Sequence, residues 1–342
     1  MMSVRSMAKL LNLSHATVSL ALRDSPRVAK GTKEAVRKLA EEVGYRPDPV
    51  LGALTSYRHP KAHQGTPAGI AWINAWPQPN PLRQFNDIDG YWRGASAEAD
   101  KSGYRLEEFR IDGNCSPYRL HQILSTRGIR NILLPSQPSR PEWNDFPWHE
   151  YSVVRLGLSP EPPFVDTVAP DYVANAKVAF DEIRKRGYRR IGFVTDQLGL
   201  ASNGHLFGVG YFAAQQTVPP EERLPIFEFH ACEAGKQPRI FGEWLERWRP
   251  DAIFTDSDEI GPMLEEAGIR VPQDIGLAVT DVAHGGIDSG IEQCSEEIGR
   301  TAFMILNSLG TERLWGDSTI SRKLVIMGNW VNGFSLPLKT RP

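Results

Sequence analysis

Ala8-Lys9-Leu10-Leu11-Asn12-Leu13-Ser14-His15-Ala16-Thr17-Val18-Ser19-Leu20-Ala21-Leu22 decides how this chain begins. Before Asn12, the residues Val4, Met7, Ala8, Leu10 and Leu11 recur at helical spacing; Asn12-Leu13-Ser14 then breaks that rhythm with a turn ending in a capping hydroxyl. A second helix is predicted from Ser14. Its apolar positions Val18, Ala21 and Leu22 fall three and four residues apart and turn inward, which leaves His15, Ala16, Ser19 and Leu20 facing away from that small core. Two helices joined by a three-residue turn, the second with an outward stripe, have the geometry that lays a helix into a major groove.

Beyond Asp24-Ser25-Pro26 a third helix is predicted from about Gly31 to Val43, with Val36, Leu39, Ala40 and Val43 apolar and Gly44 as a left-handed stop. The charge supports a phosphate-binding head. The 342 residues carry a net charge of -2, yet residues 1–58 hold ten Lys and Arg against five Asp and Glu, a net of +5 that leaves -7 for the remainder. Pattern and charge alone leave two readings open, a groove reader and a merely solvated basic module.

His59 to Pro67 is a polar tether, after which strands and helices alternate. Strands are predicted at Ala68 to Ile73, Arg105 to Phe109, Ile132 to Leu134 and Ser152 to Arg155, with helices at Tyr91 to Ser102 and Tyr118 to Thr126 between them. The rhythm restarts with a helix at Ala174 to Gly187, followed by strands at Ile191 to Val194, Ile226 to Phe229, Ala252 to Thr255 and Ile275 to Val279, again with single helices between. Strands separated by single helices imply parallel doubly wound sheets, and two such units imply two lobes with a cleft at the carboxyl ends of the strands.

Four ordered blocks, Ala8-Lys9-Leu10-Leu11-Asn12-Leu13-Ser14, Ala16-Thr17-Val18-Ser19, Ser25-Pro26-Arg27-Val28 and Gly44-Tyr45-Arg46-Pro47-Asp48-Pro49, closely resemble the DNA-binding head of LacI/GalR transcriptional regulators. Val165-Asp166-Thr167-Val168-Ala169-Pro170-Asp171, Gly187-Tyr188-Arg189-Arg190-Ile191-Gly192-Phe193, Pro250-Asp251-Ala252-Ile253-Phe254 and Gly328-Asn329-Trp330-Val331-Asn332-Gly333 resemble that family's effector domain, itself similar to periplasmic sugar-binding proteins.

The resemblance implies an α/β chain with a three-helix helix-turn-helix head at 1–46, a hinge helix and linker at 47–66, and a two-lobed, periplasmic-binding-protein-like effector and dimerisation domain at 67–342. The first lobe is expected at about 67–160 and 285–317, the second at about 161–284 and 318–342. The implied partners are a near-palindromic double-stranded DNA operator, a second copy of the chain and a small effector, a carbohydrate or its derivative. A cytoplasmic repressor needing no cofactor or metal is the expectation.

The DNA-binding set implied is Ser3, Val4, Ser14, His15, Ala16, Thr17, Ser19, Leu20, Arg27 and Leu54, with His15, Ala16 and Leu20 at base-reading positions. Here the chain departs from its relatives: many carry Arg where it has Leu20 and a long polar residue where it has Ala16, so no bidentate guanine contact forms there and thymine methyl groups are favoured. Leu20 also fits as a core residue. In the family the stretch matching Pro47 to Tyr57 folds as a hinge helix on the operator, and the residue matching Leu54 is driven into a minor-groove step as a wedge. A plain linker is the other reading. No heptad run follows Trp330, which implies a dimer rather than a tetramer.

The effector set implied is Asn74, Trp76, Gln137, His205, Ser257, Asp258 and Asp281. Asp281 matches the family's cleft aspartate, and its carboxylate can accept from two adjacent sugar hydroxyls. His205 stands nearest the arginine that sugar-binding relatives use, and Trp76 either stacks on a sugar ring or plugs the lobe interface.

Three classes compete with ligand-controlled repression. An enzyme would need an assembled acid, base or nucleophile, and the chain has no phosphate loop, nucleophile elbow or HExxH; Gly208-Val209-Gly210-Tyr211-Phe212-Ala213 fits a dinucleotide fingerprint formally but lies well past its strand. A solute-binding protein for uptake would carry a signal peptide where the basic head stands. A repressor with no ligand remains the third. Cys115, Cys232 and Cys294 make no metal spacing, and no apolar run approaches the roughly 18–20 residues that span a bilayer.

Overall fold

The computed structural model describes residues 4–22, 28–43, 68–75, 83, 85–112, 115–136, 143, 146–158, 163–196, 205–229, 237–257, 259–284, 287–312 and 320–339. It divides into two units, Met1–Thr66 and Pro67–Pro342.

In the first unit, helices α1 (Val4–Leu10), α2 (His15–Leu22) and α3 (Lys30–Glu42) surround one small core. Met7, Ala8, Val18, Ala21, Val28, Val36 and Ala40 are buried in it, with Leu11, Leu13, Leu22 and Leu39 packed against them. The predicted turn is built at Asn12, whose φ of 51° is a left-handed conformation that Asn tolerates. The Leu13 N–H then returns to the Ala8 carbonyl at 2.9 Å and closes the first helix.

The second unit contains two six-stranded sheets, each with helices on both faces. In the first, the strands are β1 (Ala68–Asn74), β2 (Tyr104–Arg110), β3 (Asn131–Pro135), β4 (Ser152–Leu156), β5 (Asp166–Pro170) and β11 (Lys323–Ile326), ordered β11-β5-β4-β3-β1-β2 and all parallel. Alternate residues serve opposite faces. Ile70 and Trp72 pack under α4 (Asn86–Lys101) and α10 (Ser295–Glu312), whereas Ala71 and Ile73 pack under α5 (Pro117–Thr126).

The second sheet holds β6 (Ile191–Asp196), β7 (Phe227–Phe229), β8 (Ala252–Thr255), β9 (Gly276–Val279), β10 (Gly290–Glu292) and β12 (Asn329–Val331), ordered β12-β10-β9-β8-β6-β7. Its pairs are parallel except that β12 runs antiparallel to β10. Phe193 and Phe254 lie beneath α6 (Tyr172–Lys185) and α7 (Leu206–Gln215), while Val194, Ile253 and Leu277 lie beneath α8 (Gln237–Trp248) and α9 (Ile260–Glu266). Strands buried on both faces read as continuous apolar runs, which is how they stood out in the sequence.

The lobe boundaries differ from those expected. Strand β5 pairs with β4 and β11, so the first lobe runs on to residue 170 instead of ending near 160. Strand β10 pairs with β9, so the second lobe runs to residue 292 and not 284, and Lys323–Ile326 belongs to the first lobe. The chain therefore crosses between sheets three times, after β5, β10 and β11. Helix α10 was absent from the sequence reading, although Ile298, Ala302, Phe303 and Leu306 bury one face of it. Helix α4 begins at Asn86 rather than Tyr91, with the Ile88 N–H held by Asp87 Oδ1 at 2.8 Å.

Candidate DNA interface and ligand cleft

In the head, Ser14 caps the second helix. Its Oγ accepts the Thr17 N–H at 3.0 Å and lies 2.8 Å from the Thr17 hydroxyl, so both side chains settle the entry of α2. His15, Ala16, Ser19 and Leu20 lie on α2, and Val4 opens α1; their side chains are outside the described part, as are Ser3, Arg27 and Leu54 altogether. Val18 and Ala21 of the short helix α2 are fully buried in the head's core.

In the body, the carboxyl ends of the strands carry buried polar side chains. Asn74 ends β1, is buried, and donates through Nδ2 to Glu108 Oε1 at 2.6 Å, so its amide is engaged within the first lobe. Beyond β8, Thr255 Oγ1 accepts the Ser257 N–H at 3.0 Å and Ser257 Oγ accepts the Glu259 N–H at 3.2 Å; Ser257 thus shapes the turn into α9. Beyond β9, the buried Asp281 accepts the Ala283 N–H at Oδ1, 3.0 Å away, and so holds a short 3-10 turn at Val282–His284.

This turn meets the first lobe. Asn86 Nδ2, at the start of α4, donates to the Ala283 carbonyl at 2.5 Å. Next to it two tyrosines, Tyr91 on α4 and Tyr172 on α6, are buried. Burial pushes both phenols up, and the Asp87 and Asp281 carboxylates push them further in the same direction, so both hydroxyls stay protonated and can donate. Carboxylates of opposite lobes therefore share one electrostatic neighbourhood with two phenols, an arrangement that can accept from and donate to a polyhydroxyl ligand.

The structure does not gather all the expected ligand residues. Trp76, Gln137 and Asp258 lie outside the described residues. His205 precedes α7 with a left-handed φ of 65° and lines a groove of about 300 Å³ with Phe193, Thr195, Val209, Phe212 and Ile226, a lining that includes none of Asn74, Ser257 and Asp281. Asn86, Asp87, Tyr91 and Tyr172 were missed; the Asn-Asp pair opening a helix and the Asp171-Tyr172 step after a strand were the available signals. Among the described residues no group of three or more His, Cys, Asp or Glu is placed to hold a metal ion.

The model for bacterial regulatory proteins of the lacI family matches residues 4–48, and that for a periplasmic binding protein-like domain matches residues 180–332. The probable transcriptional repressor ExuR of Bacillus subtilis (strain 168) is 44% identical over 292 residues, which cover 81% of this chain and 80% of ExuR. The chain belongs to the LacI family of bacterial transcriptional regulators.

As a LacI-family repressor it shares its fold with solved relatives. The complex of the transcriptional regulator CelR with cellobiose superposes with a TM-score of 0.58 at 20% identity, covering 98% of this chain and all 100% of that one. The lac repressor dimer bound to operator and the anti-inducer ONPF gives 0.55 at 13% identity, covering 98% and 99%. The LacI family is one of regulators and not of enzymes, and the formal fingerprint at Gly208 to Ala213 falls inside α7. A Cβ on Gly210 would meet the Val173 carbonyl and the Ala176 methyl, so this glycine serves the packing of α7 on α6. Among the described residues no helix is long and apolar enough to cross a membrane.

Proposed function

We propose that this LacI-family repressor reads a near-palindromic operator as a homodimer and changes its operator affinity when a carbohydrate or carbohydrate derivative enters the cleft between its lobes. The observation that carries the ligand half of this reading is Asp281, buried at the carboxyl end of β9 beside Tyr91 and Tyr172. A carboxylate so placed accepts from paired hydroxyls, and the phenols supply donors.

For the DNA half, Ala16 and Leu20 on α2 select thymine methyl groups, His15 gives or takes a single hydrogen bond, and Leu54 is the minor-groove wedge. Whatever the ligand does to DNA affinity, DNA does equally to ligand affinity, because the coupling is reciprocal. Ser257, whose Oγ accepts the Glu259 N–H and keeps its own O–H to donate, and His205, on the rim of the groove lined by Phe193 and Phe212, are further ligand contacts in this reading.

The test begins with selection of bound duplexes from a random pool by the purified full chain. Enrichment of a palindrome that Leu54→Ala abolishes is expected; enrichment of single half-sites overturns the homodimer, and an unaltered Leu54→Ala result overturns the wedge. The winning duplex is then titrated in the presence of a panel of neutral, acidic and amino sugars. One of them shifts the binding midpoint, and Asp281→Ala removes that shift while keeping DNA binding; a shift that survives Asp281→Ala overturns the placement of the ligand.

A further inference from the structure

The two lobes are joined by more than their crossovers. Asn86 belongs to the first lobe: it opens α4, and α4 is fixed to α10 by backbone contacts at Gly94 against Glu296 and Gly299 against Tyr91. Ala283 belongs to the second lobe, in the turn that follows the central strand β9. The hydrogen bond from Asn86 Nδ2 to the Ala283 carbonyl therefore spans the two lobes. We propose that Asn86 is a positioning residue that latches the lobes together, and that Asp281 sets the latch by aiming the Ala283 carbonyl at it.

The coupling follows from which atoms are shared. Asp281 Oδ1 holds the N–H of Ala283, and Asn86 holds the carbonyl of the same residue, so a single turn answers to both side chains. If Asp281 is drawn to another donor, the turn at Val282–His284 loses its amide anchor and the carbonyl its direction. Tyr91 packs into the core of the first lobe and Tyr172 into that of the second. Each feels a carboxylate of the opposite lobe, Tyr91 that of Asp281 and Tyr172 that of Asp87, in keeping with the contact that the Asn86–Ala283 hydrogen bond makes.

A ligand hydroxyl that donates to Asp281 bears on the same carboxylate that anchors the Ala283 N–H, so ligand binding and the latch are coupled through one side chain. This last step rests on the cleft reading above. The latch itself needs no ligand, and two states of one turn that both a binding residue and a lobe contact bias is what energetic coupling requires.

Amide hydrogen exchange of the ligand-free full chain, read by mass spectrometry, tests it. In Asn86→Ala, segments 86–92 and 172–176 should exchange roughly fivefold faster, the equilibrium effect of losing one net hydrogen bond between the lobes, while α8, remote from the latch, keeps its wild-type rate. Asp281→Ala should accelerate the same two segments by the same factor, and the double variant no further. Asp281→Asn, which keeps an accepting oxygen, should leave both segments at wild-type rates.

Unchanged exchange of 86–92 in Asn86→Ala overturns the latch. Acceleration confined to the 280–284 turn in Asp281→Ala, additivity in the double variant, or an Asn variant as fast as the Ala variant overturns the coupling to Asp281. No ligand is present in these measurements, so their failure leaves the cleft reading standing, and failure of the sugar titration leaves the latch standing.

Discussion

Gly94 presents its bare backbone to the carbonyl of Glu296, and a Cβ there would overlap that oxygen. Helices α4 and α10 consequently approach backbone to backbone, and the faces carrying Tyr91, Ala95, Ile298 and Phe303 close over Trp72. Gly94→Ala is expected to destabilise the body by about 2–3 kcal/mol, because neither helix can retreat without opening that core. Gly242 on α8 has open space around it, and Gly242→Ala should instead stabilise by about 0.5–1 kcal/mol through helix propensity. Urea unfolding followed by tryptophan fluorescence distinguishes the two directions; a neutral Gly94→Ala would refute the close approach.

The Ser14 cap makes a prediction confined to the head. Ser14→Ala removes the acceptor for the Thr17 N–H and should cost about 1 kcal/mol of head stability. Ser14→Asp, which restores an acceptor, should recover most of it. Thermal unfolding of the head, monitored by exchange of the α2 amides, gives the answer, and equal stability of all three proteins would show that the cap contributes nothing.

Leu20→Arg addresses base reading. A guanidinium at this position on α2 can pair with the O6 and N7 of guanine, so selection from a random pool should gain guanine at one position of each half-site, with discrimination of about 1–3 kcal/mol. An enriched sequence identical to that of the unmodified chain would place Leu20 in the core of the head.

Asp288 supplies a pH dependence. Its desolvation raises the carboxyl pKa, but the amide hydrogen bonds from Phe334 at 2.8 Å and Ser335 at 2.9 Å outweigh this and hold it below the usual 3.8. A depressed folded value means stability that is present above about pH 4 and lost as pH falls through the folded pKa. The carboxylate docks the C-terminal segment whose Leu336 is buried against the second sheet. Asp288→Asn should lower the melting temperature by roughly 2 °C at pH 7, and the gap should close toward pH 3. A gap that stays constant with pH would remove the charge from the explanation.

Much of the head was legible because its signals are local. Asn12 in a left-handed turn, Ser14 as a cap, Val18 with Ala21 on the second helix and Val36 with Ala40 on the third are each legible from neighbours a helix turn or less away. The strands were legible for a similar reason, since burial on both faces writes Ile70 to Ile73 or Ile191 to Val194 as unbroken apolar text. Asp281 is proposed for the cleft from family resemblance; that Asn86 reaches Ala283 is not legible, because nothing near it in sequence distinguishes a hydrogen bond made to a residue 197 positions away.

The sequence by itself determined the order of helices and strands and the residues that turn inward, since periodicities of 3.6 and 2 are properties of neighbouring residues. Only the tertiary structure decided which sheet receives β5, β10 and β11, and that Asn86 reaches Ala283 across the lobes. Short strands of three to five residues carry too little pattern to name their partners. Their pairing is settled by hydrogen bonds and packing available only once the chain has crossed between lobes three times.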